Sequence, residues 1–422
     1  MLEGLPLSPK QVDYVANSDA RINVMSGSIR AGKSVAALVR WLIYCAEAPA
    51  SGELVVVAKT TNTAASNVFL PLQDPGLFGP LSKHVHYTRG APTATILGRH
   101  VRVIGANDQR SEERLRGMTC SGALVDEATL VPQEFWVQLL GRMSVPGAKL
   151  FASTNPGPPM HWLKRDFIDR VGKVDIKHWH FTIDDNPSLT EKYRADIRAE
   201  FAGLFYRRFV LGEWCAAENG VYDMFDIERH VVKESSLVTR WPGVGIDYGT
   251  VNPFVGLLVG VGTDGRLHVT SEYRWDSRKE RRQKTDAEYS RDLTAWLDGY
   301  VQPGASEQHH GVEPERVIVD PSAASFVTQL WRDGWSPTKG DNSVMDGIRL
   351  VSSLLHRDLL RINASCTGLV DELSSYSWDD KAALKGEDRP LKVNDHGPDA
   401  LRYLCATTEW TWRDEIGLPA AA

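Results

Sequence analysis

The chain has 422 residues, five cysteines and a formal net charge of −6, with 42% hydrophobic and 24% charged residues. That length supports two or three domains and a core large enough to fold without disulfide or metal staples, and that composition excludes a fibrous or disordered polypeptide. The charge is unevenly shared: residues 1–212 carry 25 Lys+Arg against 20 Asp+Glu, net +5, and residues 213–422 carry 23 against 34, net −11, so mild overall acidity does not exclude nucleic-acid binding. Cys45, Cys120, Cys215, Cys366 and Cys405 are odd in number, widely spaced and free of CxxC pairs, which reads as reduced thiols rather than a disulfide framework or zinc site. No basic-then-apolar leader opens the chain, and the longest apolar stretches, 35–46 and 254–261, are too short to span a bilayer, so no membrane role is expected.

In chain order, the pattern predicts a short strand over 21–26, a loop over 27–34 and a helix over 35–47. A continuous apolar strand follows over 53–58, then a hairpin from 95–97 and 101–104, a buried strand over 122–125, a helix over 133–140 and a strand over 149–153. Apolar strands alternating with helices indicate a doubly wound α/β core with a mainly parallel sheet. Asn155-Pro-Gly-Pro-Pro159 breaks the pattern, and helical segments with a strand near 176–182 run on to Gly212. Residues 213–242 are irregular and read as a linker. A second α/β pattern begins at Val244, with strands at 244–248, 254–261 and 266–273, a helix near 285–299, a strand at 316–320, helices near 322–332 and 343–356, and a last helix at about 397–410. Three consecutive strands before the alternation suggest a mixed sheet.

Residues Gly27, Ser28, Ile29, Arg30, Ala31, Gly32, Lys33 and Ser34 match GxxxxGK[ST] between a strand and a helix. Backbone N–H groups of such a loop wrap phosphates at a helix N-terminus; Lys33 reaches the β- and γ-phosphates and Ser34 ligates Mg²⁺ of a bound ATP. Asp126 and Glu127, at the end of an apolar strand, supply the acids this chemistry needs: Asp126 to hold Mg²⁺ and Glu127 to polarise the attacking water. Arg30 inside the loop is a candidate γ-phosphate contact. Arg114 and Arg116 precede the acidic strand and are candidates for an arginine finger offered to a neighbouring subunit, with a solvated basic loop as the alternative. Ser153-Thr154-Asn155 ends the next strand, where a polar trio senses a γ-phosphate or simply turns the chain.

The second half carries its own acids. Asp247 ends the first new strand, Asp320 ends another, and Asp395, His396 and Asp399 open the final helix, residues 396 and 399 sharing one face. Converging carboxylates of this kind hold two Mg²⁺ or Mn²⁺ ions for phosphodiester cleavage. Singly, each has a local alternative: a turn before Gly249, an Asp-Pro turn, or an N-cap. His178, His180, His309 and His310 lack acidic or thiol company and read as structural or solvated. The basic run 274–284 either grips DNA phosphates or is a charged loop.

Taken in order, these motifs resemble the large subunit of tailed-bacteriophage terminases. GSIRAGKS, RLRG (114–117), VDEA (125–128), STNP (153–156), DNP (185–187), LGEW (211–214), GIDYG (245–249), VDPS (319–322) and DHGPDALRY (395–403) follow the family order. The resemblance implies a P-loop ATPase domain over 1–212 with a helical lid part at about 160–212, a linker over 213–242 and a ribonuclease H-like nuclease domain over 243–422. It implies that Gln11 reads the adenine, that Asn155 sits by the nucleotide, and that Asp247, Asp320 and Asp399 ligate metal with Asp395 or His396 as accessory. It further implies ATP-driven translocation of double-stranded DNA into a procapsid, cleavage of concatemeric DNA, a homo-oligomeric ring on the portal protein, a small terminase subunit as partner, and a place in the cytoplasm of an infected bacterium. A helicase-like ATPase–nuclease and a non-catalytic phage structural component are the alternatives.

Overall fold

The computed structural model describes residues 7–107, 109–217, 220–302 and 310–418. Two β-sheets organise them. Ser8 caps helix α1 (Pro9–Asn17) in a reciprocal capping box with Gln11. The first sheet then collects β1 (Ile22–Gly27), β2 (Glu53–Ala58), β3 (Val85–His86), β4 (Thr93–Ile96), β5 (Arg99–Gly105), β6 (Cys120–Val125), β7 (Lys149–Thr154) and β8 (Ile176–Phe181) in the order β3-β4-β5-β2-β6-β7-β1-β8. Ladders from β5 to β8 are all parallel; only β3–β4 and β4–β5 are antiparallel. The continuous apolar strands have a simple cause. Side chains alternate across a strand, so Val24, Val55 and Val57 enter one buried cluster while Met25, Leu54 and Val56 enter another on the opposite face. Helix α2 (Lys33–Glu47) packs in the second of these and α3 (Gln133–Arg142) in the first.

Between β2 and β3 lies a helical stretch that the sequence pattern does not announce. Thr61–Ala64 is α-helical, Ala65–Phe69 widens to a π-turn, and Leu70–Leu72 returns to α. Ala65, Val68 and Phe69 of the π-turn are buried.

After helix α4 (Glu191–Glu200) and a second π-turn at Tyr206–Val210, the second sheet gathers β9 (Val231–Val232), β10 (Val238–Asp247), β11 (Phe254–Gly262) and β12 (Leu267–Trp275). Helix α5 (Asp286–Asp298), β13 (Val317–Val319), α6 (Ala324–Arg332), β14 (Pro337–Lys339), α7 (Val344–His356), β15 (Leu360–Asn363), α8 (Thr367–Ser375) and α9 (His396–Trp412) follow. The strand order is β14-β13-β10-β11-β12-β15-β9, antiparallel across β10–β11–β12 and parallel elsewhere, so the sheet is mixed as expected. The expected α/β class is observed, a mainly parallel sheet followed by a mixed one. β14, β15 and α8 escape the sequence reading because they are short and only partly apolar.

The expected linker over 213–242 needs correction. β9 pairs with β15, and β10 begins at Val238, so residues 231–242 are already part of the second sheet. The lid expected over 160–212 is likewise shared. Ile183, Ile197, Phe201, Phe205, Val210, Val221 and Tyr222 are buried in one cluster with Leu257, Leu354, Leu401 and Trp412. Scattered charges made this stretch look like a connection, but its apolar residues bury against the second half. Among the described residues no helix is long and apolar enough to cross a membrane, and all five cysteines are free and buried.

Candidate active sites

The loop after β1 brings the first site together. Gly27 has φ 152° and a Cβ there would fall 1.8 Å from the Phe181 carbonyl oxygen; Gly32 has φ 84° and its Cβ would fall 2.5 Å from Gln11 Nε2. Only glycine fits either place, so the loop keeps the tight backbone a phosphate cradle needs. Ser28 N–H donates to Phe181 O and Ile29 N–H to Phe209 O, both at 2.9 Å. Ala31 is buried, and Ser34 is exposed in the first turn of α2. Arg30 is exposed in left-handed backbone, φ 54°, and its carbonyl accepts from Asn186 Nδ2 at 2.7 Å. Lys33 is buried; its ammonium donates to Gly27 O at 3.1 Å, Ser28 O at 2.6 Å and Asn155 Oδ1 at 3.0 Å. Burial pushes its pKa down to about 8 against the opposing pull of Glu127 and Asp126.

The acids stand at the end of β6. Asp126 N–H donates to Val57 O, which hangs the carboxylate over the neighbouring strand end. Burial raises the pKa of Asp126, and burial followed by the charge of Asp126 raises that of Glu127. Glu127 is held in left-handed backbone, φ 50°, ψ 61°, which costs a non-glycine residue about 1–3 kcal/mol and is a usual mark of a functional position. Its Oε2 accepts from Asn155 N–H at 3.3 Å. The last two residues of β7 and the one after it are all engaged: Ser153 Oγ donates to Asp126 at 3.4 Å, Thr154 meets Thr129 at 2.7 Å, and Asn155 joins Lys33 to Glu127. The trio therefore ties the phosphate loop to the acids.

Gln11 lies against this loop, with Nε2 donating to Gly32 O at 2.9 Å and Oε1 accepting from Ser8 N–H at 2.7 Å. Both polar atoms of its amide are spent on the protein here. Arg114 and Arg116 are both exposed, and Arg114 also donates to Gly105 O at 2.9 Å. One residue the sequence does not flag is Asn67, on the π-turn, which donates to Asp126 Oδ2 at 2.9 Å. No motif surrounds it; only the fold brings it to the acid. His178 is committed to Ser26 Oγ at 2.8 Å, to which Trp214 Nε1 also donates at 3.1 Å. His309 lies outside the described residues.

The second site lies at the end of β10. β13 runs parallel beside it, with Ile246 opposite Val319, so Asp247 and Asp320 emerge side by side. The N-terminus of α9 points at the same place. Asp247, Asp320, Asp395, His396 and Asp399 all line one cleft of about 660 Å³, with Tyr248, Arg278, Ser322, Asn342, Lys392 and Tyr403. Burial pushes the Asp247 pKa up to about 6, and Asp399 and Asp320 add to the rise, while His396 opposes it with a 2.8 Å contact from Nδ1 to Asp247 Oδ2. Asp320 accepts from Ser322 N–H at 2.8 Å and Ser322 Oγ at 2.9 Å, so the local Asp-Pro turn is present as well.

Asp247, Asp320, Asp395 and Asp399 face one cleft that Asp276 also lines, and such hard carboxylates form a donor set suited to Mg²⁺ or Mn²⁺. They are not drawn together: among the described residues no three His, Cys, Asp or Glu side chains stand grouped to hold an ion. Their oxygens are occupied otherwise. Lys392 Nζ lies 2.7 Å from Asp399 and 3.1 Å from Asp395, and Arg402 Nη2 lies 3.2 Å from the other Asp399 oxygen.

Within the basic run 274–284, Arg274 and Lys284 are part-buried and paired, while Arg278, Lys279, Arg281 and Arg282 are exposed. Arg274 pairs with Glu272 at 2.7 Å and forks onto Glu372 at 2.7 and 3.0 Å, and Glu372 in turn accepts from Gly397 N–H at the start of α9. Lys284 pairs with Asp292 over the Trp275 ring, and Arg282 pairs with Glu288. Arg278 lines the cleft, donating to Asn252 at 3.3 Å.

Known proteins are similar to this chain in sequence and fold. The family model described as terminase large subunit, T4likevirus-type, N-terminal, matches residues 24–229. The large subunit of the terminase of Escherichia phage T5 is 24% identical over 286 residues, covering 64% of this chain and 60% of its own length, so that match spans less than two thirds of that relative. The large terminase of a thermophilic bacteriophage is 35% identical, with a TM-score of 0.82 over 95% of this chain and 99% of its own. The same thermophilic-phage protein in complex with ATP-gamma-S superposes with a TM-score of 0.79 at 34% identity over 94% of this chain and 98% of its own. At that identity and over nearly its whole length, the chain belongs to the large terminase family of bacteriophages.

Proposed function

We propose that this protein hydrolyses ATP at the first site to drive double-stranded DNA into a procapsid, and cuts concatemeric DNA at the second. The observation that carries the reading is the pairing of two chemically distinct acidic sites in one large terminase chain. In one, Asn155 links the phosphate-loop Lys33 to Glu127. In the other, Asp247, Asp320 and Asp399 face a common cleft. The thermophilic-phage relative, solved with ADP and with ATP-gamma-S, supports nucleotide at the first site.

In the first site, Lys33 turns from the loop carbonyls onto the β- and γ-phosphates, Ser34 and Asp126 would hold a Mg²⁺ that neutralises phosphate charge, and Glu127 takes a proton from the attacking water. Asn155 senses the γ-phosphate because moving Lys33 releases its side chain while its N–H stays on Glu127. Arg30 or an Arg116 offered by a neighbouring protomer in the ring stabilises the charge on the transferred phosphoryl group. In the second, Asp247, Asp320 and Asp399 would hold two Mg²⁺ or Mn²⁺ ions, with Asp395 or His396 accessory; bound there, such ions supply an activated water and stabilise the leaving oxygen. His396 orients Asp247, and Glu372 holds the start of α9 through Gly397 N–H. The portal protein and a small terminase subunit are the partners that fit this role.

Separable loss of function tests the reading. Lys33→Ala or Glu127→Ala abolishes ATP turnover and translocation and leaves metal-dependent cleavage in place; Asp247→Ala does the reverse. Intact Mn²⁺-dependent cleavage in Asp247→Ala overturns the nuclease assignment.

A further inference from the structure

Two cations hold Asp399, and they are held very differently. Arg402 is 1% exposed, with its guanidinium on one oxygen. Lys392 reaches the other oxygen, and Asp395 too, from a side chain that is 57% exposed. Its neighbours Leu391 and Val393 are 41% and 56% exposed, and Asn394 follows in left-handed backbone, φ 52°. The lysine is therefore anchored at its ammonium tip alone, while its stem packs on little. Such a side chain regains its rotamer freedom when the tip is released, whereas Arg402 cannot leave without exposing buried surface.

Charge points the same way. Asp247, Asp276, Asp320, Asp395 and Asp399 bring five negative charges to the cleft, and Arg278, Lys392 and Arg402 return three, which leaves an excess of two. One divalent ion completes the balance; a second overshoots it unless a mobile cation departs. Lys392 also sits between the two carboxylates that open α9, which accounts for the acids lining the cleft without being grouped for an ion.

We propose that Lys392 is a built-in competitor of the second divalent ion in the nuclease site: its ammonium bridges Asp395 and Asp399 until a metal displaces it. The inference rests on the metal-dependent nuclease reading. It makes Lys392 a positioning residue, one that sets the metal concentration at which the cleft is fully loaded, so that cleavage is held back while the second position carries an ammonium.

The test is Mn²⁺ binding to the full chain, without nucleotide or DNA, followed by electron paramagnetic resonance of the free ion. The wild type binds two ions at the cleft with unequal affinity. Lys392→Met binds the weaker one about tenfold more tightly, the equivalent of one charge-assisted hydrogen bond no longer broken, and Lys392→Arg stays close to the wild type. Unchanged affinity in Lys392→Met overturns the proposal. Asp320→Asn separates the two readings. If it binds Mn²⁺ like the wild type, the metal site itself is wrong and the proposal falls with it; if it loses an ion while Lys392→Met changes nothing, only the lysine is wrong. Should Lys392→Met fail to fold, lysine-selective labelling of the wild type with mass spectrometry decides. Added Mg²⁺ raises the reactivity of Lys392, and a flat response refutes displacement.

Discussion

Arg208 and Asp388 offer a sharp test of how the two halves are joined. Arg208 lies on the second π-turn and Asp388 on the loop before α9, with side chains 4% and 10% exposed. The guanidinium donates to Cys215 O at 3.1 and 2.6 Å and forks onto both Asp388 oxygens, the longer contact being 3.1 Å. Asp388→Ala leaves a buried cation with only a neutral carbonyl for company, a loss of about 3–5 kcal/mol. Asp388→Asn keeps an acceptor and loses less, about 1.5–3 kcal/mol. Replacing both partners, Arg208→Met with Asp388→Leu, removes the uncompensated charge and returns stability to within about 1 kcal/mol of the wild type, since apolar pairs replace buried ion pairs at little cost. Urea unfolding followed by tryptophan fluorescence measures all four proteins. An Asp388→Ala variant within about 1 kcal/mol of the wild type, or a double variant as unstable as Asp388→Ala, refutes the reasoning. Either result means that the pair is solvated and the loop is not pinned by it.

Two other expectations follow from single contacts. Burial, helped by the neighbouring His180, pushes the His178 pKa down to about 4 from 6.5. The folded state thus binds the proton less tightly than the unfolded chain, and stability falls as pH drops from 6.5 toward 4, by about 3 kcal/mol in all; urea midpoints across that range should flatten in His178→Gln. Asn67→Ala removes the 2.9 Å donor to Asp126; ATP turnover should fall about tenfold or more, for a lost charge-assisted bond of about 1.5–3 kcal/mol, with a higher Mg²⁺ requirement in steady-state assays, and an unchanged Mg²⁺ profile rules out a role in holding the acid.

The phosphate loop was legible because it is a local device. Its eight consecutive residues specify a backbone path, and the glycines at 27 and 32 are demanded by contacts that a Cβ would violate. Strands such as 53–58 were legible for a related reason: a run buried on both faces must be apolar throughout. The acids at 247 and 320 could be picked as strand ends, since parallel neighbours end at one edge of a sheet. Asn67 could not, because a lone asparagine in a polar stretch carries no pattern and gains its role from the π-turn that aims it at Asp126.

What the sequence by itself determined, then, is the α/β class, the order of the two sheets and the place of the acids at strand and helix ends. Tertiary structure decided the joins. His396 meets Asp247 across 149 positions and Arg208 meets Asp388 across 180, and no local period encodes such distances. It also moved residues 183–222 from lid and linker into the second core, and it turned Arg274 and Lys284 of the basic run inward onto Glu272, Glu372 and Asp292. The physical reason is common to all three. Side-chain type states what a residue needs, a partner or an escape from water; only the packed chain decides which neighbour supplies it.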